Sequence, residues 1–405
     1  MNKDKKINKL VTSRYIERVY PSKEKLKQFL KSSKKLTIYI GIDPTGPHLH
    51  LGHSTNFFLL KKFQELGHKI IFLIGDFTAC IGDPTGKLDA RKALSHEQTL
   101  SNCKGYKKQA GKILDFYSKK NRVEIKFNNK WLSNFKLEDI IRLTAKVTVG
   151  QMIKREMFRK RMKEKKEIYL NEFLYPLLQG YDSVAMKIDI EIGGNDQTFN
   201  MMMGRKLVKV YLNEEKLVIT TKLLINPKTQ KKLMSKSEGD FIALDEKINQ
   251  MYGKVMAFPD EVIWTVFSLC TEISDEQLKK IESDLKSKKV NPRDVKAKLA
   301  KEIVAIYYSK QSAQKTEQEF NRVFKEKKLP SKIKEVKINK KEINILDLLV
   351  RIKLASSKSE AKRLIEQNAV RINGIIKQDW KEIVKIKKGM IIKVGKRKFI
   401  KIFNS

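Results

Sequence analysis

The sequence predicts an α/β protein with a parallel sheet over its first 230 or so residues, then a helical region and a small, strongly basic α+β tail. Three observations carry this. Short apolar runs at residues 36–42 and 69–75 flank a stretch from Leu51 to Leu66 with helical spacing, a strand–helix–strand unit. From Asp245 to Leu329 the pattern is helical throughout. The last 70 residues, 336–405, hold 19 Lys or Arg against 6 Asp or Glu, and in them short helices give way to alternating strands.

Taken in order, Phe57, Leu60, Phe63 and Leu66 fall on one face of the first long helix. Residues 95–117 predict a second long helix, and Val123, Ile125 and Phe127 then alternate with charged residues as a strand. Asp275 is expected to cap a helix, and 294–324 to form one amphipathic stretch. Segment 330–341, with proline, serine and five lysines, has the composition of a linker. Beyond it, helices are expected at 345–353 and 359–368, a turn at Asn373-Gly374 after Val370 and Ile372, and strands over 383–402.

A chain of 405 residues suits two to three domains, and 41% apolar residues, including 19 Phe, can fill a core, which excludes a disordered polycation. The 86 Lys plus Arg against 46 Asp plus Glu leave a formal +40, which favours a polyanion such as nucleic acid as partner. No run of 18 apolar residues exists, and Met1, Asn2, Lys3, Asp4, Lys5 and Lys6 lack the apolar core of a leader. A cytoplasmic protein without a membrane partner is therefore expected. Cys80, Cys103 and Cys270, an odd count without CxxC spacing, supply neither a disulfide framework nor a zinc ribbon.

Three of the five histidines, His48, His50 and His53, crowd a segment that follows the first strand and Asp43-Pro44-Thr45-Gly46. In open α/β sheets ligands sit beyond the carboxyl ends of strands, where a helix N-terminus offers N–H groups to an anion. Gly52 would let a phosphate or adenine approach the backbone, and the three-residue spacing puts His50 and His53 on one face to donate to phosphoryl oxygens. A helix cap, or a metal held by the three imidazoles, are the other readings of this cluster.

Gly82-Asp83-Pro84-Thr85-Gly86-Lys87 fails as a P-loop, with three residues between its glycines and Leu88 after the lysine. Asp83 is placed to meet a cation or to start a turn before Pro84; Lys87 and Arg91, four apart, could face a leaving phosphate. The segment 231–240, Lys-Lys-Leu-Met-Ser-Lys-Ser-Glu-Gly-Asp, is either solvated surface or a loop whose ammonium groups reach a triphosphate.

His50-Leu51-Gly52-His53 paired with Met234-Ser235-Lys236-Ser237 some 180 residues later resembles the two signatures of class I aminoacyl-tRNA synthetases. Tyr39-x-Gly41-x-Asp43-Pro44-Thr45, Gly82-Asp83-Pro84-x-Gly86-Lys87, Tyr175-x-x-x-Gln179-x-Tyr181-Asp182 and Gly193-Gly194-x-Asp196-Gln197 make it similar to the bacterial-type tyrosyl-tRNA synthetases. The resemblance covers most of the chain. It implies a Rossmann-like catalytic domain over 1–230, a signature-loop segment over 231–244, a helical anticodon-binding domain over 245–329, a linker over 330–341 and an S4-like RNA-binding domain over 342–405. It also implies ATP-dependent activation of L-tyrosine, with Mg²⁺ accompanying ATP, transfer to tRNA(Tyr), and a homodimer.

By the same resemblance Tyr39 and Asp182 bind the phenol hydroxyl, while Asp83, Tyr175 and Gln179 surround the ammonium. Asp43 supports the amino acid and Gln197 its carboxylate end; Asp196 meets the ribose, and Gly41 and Gly52 line the nucleotide site. Thr45 and His50 contact phosphates, His53 orients the nucleotide, and Lys87, Arg91, Lys232 and Lys236 close over pyrophosphate. No residue is assigned to a resident metal. In the tail, Lys358, Lys362, Arg363 and Arg371 are the implied RNA contacts. The basic run Lys154, Arg155, Arg159, Lys160, Arg161, Lys163, Lys165 and Lys166 meets the acceptor stem or forms a solvated helix. Two departures stand out: Leu233 occupies the usual lysine of the second signature, and Glu191 the usual glutamine before Gly193-Gly194. A tryptophanyl enzyme and a non-catalytic RNA-binding protein are the competing readings.

Overall fold

The computed structural model describes residues 3–32, 34–85, 93–234, 241–326, 328–331, 333–395 and 398–403. They form two compact units, Met1–Glu317 and Gln318–Ser405. In the first, strands β1 (Ile16–Tyr20), β2 (Thr37–Ile42), β3 (Lys69–Ile74), β4 (Glu124–Phe127), β5 (Ile190–Gly194) and β6 (Leu217–Thr221) build one sheet in the order β1-β6-β5-β2-β3-β4. Neighbours run parallel except β1, which lies antiparallel along β6 and so departs from the all-parallel expectation. From β2 the chain winds outward through β3 and β4, then returns to β5 on the other flank. That reversal opens a crevice at the carboxyl ends of β2 and β5.

Helix Leu51–Glu65 follows β2 as expected and buries Phe57, Leu60 and Phe63. The long helix expected over 95–117 is instead two short ones, His96–Cys103 and Tyr106–Ala110. The break at Gly105 has a purpose visible in its contacts. Tyr106 donates to Gly46 O at 2.6 Å, and Gln109 accepts from Leu49 N at 2.6 Å and donates to Pro47 O at 3.0 Å, so this short helix clamps the histidine turn from behind.

Helices Leu170–Ala185 and Thr198–Leu212 cross with almost nothing between their backbones: a Cβ on Gly180 would come within 3.0 Å of Gly204 N and of Leu207 Cδ1. The helices over 248–317 fall in the same compact unit as the sheet. Thr55 of the first long helix donates to Leu269 O at 3.2 Å, and Arg14 donates to Ser268 O and Thr271 O at 2.8 Å each. The cap expected at Asp275 is Ser274, whose hydroxyl accepts from Gln277 N while Gln277 reaches back; Asp275 opens the helix Asp275–Lys286. The stretch 294–324 is two helices, Pro292–Tyr307 and Lys310–Phe324, broken where Tyr308 leaves the helical region (φ −128, ψ −87).

The second unit holds β7 (Lys334–Lys337), β8 (Glu342–Asn344), β9 (Val370–Ile372), β10 (Ile375–Ile376), β11 (Ile383–Lys385), β12 (Ile391–Val394) and β13 (Lys398–Phe403). Its helices, Ile345–Arg351 and Lys358–Glu366, agree with expectation. Asn373 and Gly374 both take positive φ (49 and 88), which the two-residue turn between β9 and β10 requires. Segment 330–341 is more than a linker. Within it β7 pairs in parallel with β13 and Ile338 is wholly buried, since alternation at Val336 and Ile338 outweighs a lysine content typical of edge strands.

Candidate active site

The crevice is a cavity of about 640 Å³ lined from β2, β5, the helix N-terminus at His50 and the segment 221–234. At that N-terminus His50 is the cap residue, with extended backbone (φ −132, ψ 171). Its Nδ1 accepts from Gly52 N at 3.1 Å, and the Nδ1 of His53 accepts from His50 N at 3.1 Å. Both rings therefore carry their proton on Nε2 and sit with centroids 4.0 Å apart. The capping and ligand-facing readings hold together, because both imidazoles also line the cavity. Burial pushes the pKa of His53 down to about 4, so at neutral pH it is an uncharged donor. A Cβ at Gly52 would press to 3.0 Å from the His50 ring, which explains the glycine.

His48 turns elsewhere, pairing with Asp245 at 2.9 Å. Among the described residues no group of three or more His, Cys, Asp or Glu is placed to hold a metal ion, so the three-histidine metal reading has no geometry behind it. The turn is buttressed by the chain beyond the second signature: Leu51 N donates to Ile242 O at 3.1 Å and Leu244 N to Leu49 O at 2.9 Å.

Tyr39 on β2 and Asp182 on helix Leu170–Ala185 are buried in the cavity wall. They do not bond to each other. Tyr39 Oη lies 3.1 Å from Ser183 Oγ, while Asp182 accepts from Trp131 Nε1 at 2.8 Å and Asn128 Nδ2 at 3.2 Å. Burial pushes the Asp182 carboxyl well above the usual carboxylate range, and its two donors oppose that rise. Behind Tyr39, the wholly buried Lys216 forms an ion pair with Glu191 of β5.

The remaining polar side chains form a linked set. Asp43 accepts from Thr78 Oγ1 and from Tyr175 Oη, both at 2.8 Å, in a space kept open by Gly75, where a Cβ would overlap the carboxylate. Asp83 starts its turn by accepting from Thr85 N at 2.9 Å and also accepts from Gln197 Nε2 at 2.7 Å. Buried Asn200 donates to Gln179 Oε1 and to Gln197 Oε1 at 3.0 Å each. Asp196 is held by Lys232 Nζ at 2.6 Å. Gly41 and Thr45 line the same cavity. Lys87, Arg91 and Lys236 lie outside the described residues.

Sequence reasoning missed Asn128, Trp131, Ser183, Asn200 and Lys216. Only Asn200 carried a signal, three residues after Gln197 and hence on its face of a helix; the others reach the site through tertiary packing. The basic run is also less exposed than expected. Arg161 is buried against Glu172, with Nη2–Oε1 at 2.8 Å, and Arg155 donates to Thr85 Oγ1 at 2.8 Å while stacking over Phe199 at 4.5 Å. Neither is available to a stem. In the tail Lys358, Arg363 and Arg371 are exposed, and Lys362 lies 4.4 Å over the Trp380 ring.

The family model for class I tRNA synthetases (W and Y) matches residues 31–325, and that for the Tyrosine--tRNA ligase SYY-like C-terminal domain matches 324–402. The Tyrosine--tRNA ligase of Thermotoga maritima is 44% identical over 381 residues, 94% of each chain. Tyrosine--tRNA ligase 2 of Clostridium acetobutylicum is 43% identical over 380 residues, 94% of this chain and 93% of that one. In fold, the C-terminally truncated mitochondrial tyrosyl-tRNA synthetase of Aspergillus nidulans aligns with a TM-score of 0.66 at 22% identity, covering 79% of this chain and 94% of that one. Tyrosyl-tRNA synthetase of Archaeoglobus fulgidus, solved with L-tyrosine, aligns at 0.60 and 21% identity over 78% of this chain and 100% of that one. With matches over nearly its whole length, the chain belongs to the class I aminoacyl-tRNA synthetases and, among them, to the tyrosine--tRNA ligases.

Proposed function

We propose that the cavity activates L-tyrosine with ATP and that the enzyme then transfers the tyrosyl group to tRNA(Tyr), releasing AMP. The observation that carries this is one cavity lined both by Tyr39 and Asp182 and by His50, Gly52, His53, Asp196 and Lys232. A phenol hydroxyl suits the first pair: it can donate to the Asp182 carboxylate while accepting from Tyr39. Phenylalanine would leave both buried groups unpartnered, which is costly.

Asp83, Tyr175 and Gln179 take the ammonium, with Asp43 holding Tyr175 in place and Gln197 nearer the carboxylate. That carboxylate attacks the α-phosphorus of ATP; the bond to the bridging oxygen breaks, leaving tyrosyl adenylate and pyrophosphate. No protein nucleophile is needed, so catalysis is positioning and charge stabilisation. The Nε2–H groups of His50 and His53 and the hydroxyl of Thr45 donate to nucleotide oxygens. Asp196 takes the ribose, freeing Lys232 to join Lys87, Arg91 and Lys236 around the pyrophosphate. Mg²⁺ enters with the phosphates of ATP.

The helical region over 245–329 serves the anticodon, and the tail over 342–405, with Lys358, Lys362, Arg363 and Arg371, holds the tRNA by charge and shape. Leu137, Ile141, Val149 and Leu170 stand 58–81% exposed, apolar surface that supports a homodimer. No helix among the described residues is long and apolar enough to cross a membrane, and the cytoplasm is the compartment we assign. Amino-acid-dependent ATP–pyrophosphate exchange tests the assignment: tyrosine should support it, and a preference for tryptophan or phenylalanine would overturn it. Sedimentation showing a concentration-independent monomer would remove the dimer.

A further inference from the structure

We infer that Asn200 is a positioning residue for the substrate ammonium: it carries the polarity of the Asp83 carboxylate across to Gln179, so that Gln179 keeps its oxygen, and not its NH₂, on the side where the amine binds. The inference rests on the tyrosine site proposed above. Asp83, Gln179 and Gln197 line the cavity, whereas Asn200, on helix Thr198–Leu212, is wholly buried behind them. It therefore acts through its neighbours.

The orientation follows from groups that can play one role only. An ionised carboxylate accepts and does not donate, and an amide NH₂ donates and does not accept. Asp83 Oδ2 lies 2.7 Å from one end of the Gln197 amide, which must therefore be Nε2. The other end, Oε1, faces residue 200 at 3.0 Å, so Asn200 presents Nδ2 there. The same Nδ2 lies 3.0 Å from Gln179, which must then present Oε1. Two N–H bonds meet two carbonyl oxygens, and each link is forced by the one before it. Turning Asn200 over would gain at most the Thr85 hydroxyl at 3.4 Å, and would set Oδ1 against both carbonyls and Asp83 Oδ1 at 3.5 Å. The pose holds although the buried Asn200 Oδ1 has no hydrogen-bond partner among the described residues, as suits a side chain placed for its donors.

Asn200 uses one of the two lone pairs on Gln179 Oε1 and leaves the other for an ammonium beside Asp83. An ammonium only donates, so the amide oxygen helps it and an NH₂ would repel it. With the Asn200 donors removed, Gln197 stays tied to Asp83, but nothing holds Gln179. Its NH₂ can then turn to Asp83 Oδ1 or Thr85 Oγ1, both of which flank the position that Nδ2 held, and compete for the acceptor the amine needs. A hydrogen bond to a charged group is forfeited, so affinity for an ammonium-bearing ligand falls roughly tenfold. A ligand without the amine is unaffected.

The test compares wild type, N200L, N200A, Q179L and Q179L/N200L. Two probes are measured as competitive inhibitors of tyrosine-dependent ATP–pyrophosphate exchange. Tyramine keeps the phenol and the ammonium; 4-hydroxyphenylpropionate keeps the phenol and a carboxylate but has no amine. Leucine fills the space of asparagine and alanine leaves it open, so a packing role separates those two variants while loss of the donors unites them. The expected result is a tyramine inhibition constant raised roughly tenfold in N200L and N200A alike, with 4-hydroxyphenylpropionate unchanged. Adding N200L to Q179L should bring no further loss. Equal losses for both probes, a wild-type tyramine constant in N200L and N200A, or a loss in Q179L/N200L that multiplies that of Q179L would overturn the role of Asn200. An unchanged tyramine constant in Q179L would instead refute the assignment of Gln179 to the ammonium, on which the inference stands.

Discussion

Changing Asp182→Asn removes one charge and no volume, and the surrounding hydrogen bonds determine what that costs. Asn128 cannot flip its amide to accommodate the change: its Oδ1 accepts from Phe77 N at 2.9 Å, and its Nδ2 donates to Thr78 Oγ1 at 3.0 Å as well as to Asp182. The Trp131 indole can only donate. Both oxygens of residue 182 thus face fixed donors, and an asparagine must set its NH₂ against one of them. A buried hydrogen bond left unmade costs about 1–3 kcal/mol of folding stability. The phenol also exchanges a charged acceptor for a neutral one at best, and hydrogen bonds to charged groups contribute about 1.5–3 kcal/mol. The expected loss in kcat/KM for tyrosine is therefore roughly ten- to a hundredfold. Pyrophosphate exchange with tyrosine and phenylalanine varied separately reads it, with circular dichroism confirming the fold. An unchanged tyrosine kcat/KM in folded D182N, or an equal loss for phenylalanine, would refute the assignment of Asp182 to the phenol.

Because burial lowers His53 from 6.5 to about 4, the folded protein binds that proton less readily than the unfolded chain. The associated stability is complete above pH 6.5 and disappears as pH falls toward 4, by up to about 3 kcal/mol; urea midpoints across that window should fall for wild type and less steeply for H53N, and parallel slopes would contradict it. Gly204→Ala drives a methyl into Lys216 and Ser183, so the melting temperature should drop by the equivalent of about 1–3 kcal/mol, whereas an unchanged melt would disprove the tight fit. Ending the chain at Ser331 removes β7 to β13 and should spare tyrosine-dependent exchange while abolishing efficient tRNA charging; equal loss of both activities would contradict the assignment of the tail to RNA.

What could be read from the sequence was what local pattern encodes. Strands β2 and β3 and the helix between them follow from apolar runs and spacing, and His50, Gly52 and His53 drew attention by sheer concentration in a chain with five histidines. Asp83, with proline after it, announced its turn. The sequence was less informative where partners are distant. Nothing near Lys216 in the chain says that its ammonium is buried beside Ser183 and Glu191, 33 and 25 residues away. Arg161 looked like one more surface cation in a basic run because its countercharge, Glu172, lies on the next helix. Strand β7 was hidden by its lysines, whose long stems tolerate an edge position while Val336 and Ile338 face inward. The break at Gly105 went unseen because Tyr106 and Gln109 are ordinary helix residues until the carbonyls of Gly46 and Pro47 give them partners.

The close passage of Gly180 over Gly204 bears on how this site can be altered. Tyr175, Gln179 and Asp182 share one helix, Asn200 belongs to the other, and where Gly180 meets Gly204 the two backbones touch without a side chain between them. Such a joint transmits displacement directly, so a shift of either backbone misaligns the grips on ring and amine together. Evolution or engineering toward a bulkier amino acid therefore has little slack to exploit by prying the helices apart. Room must come from shortening individual side chains on an otherwise unchanged frame.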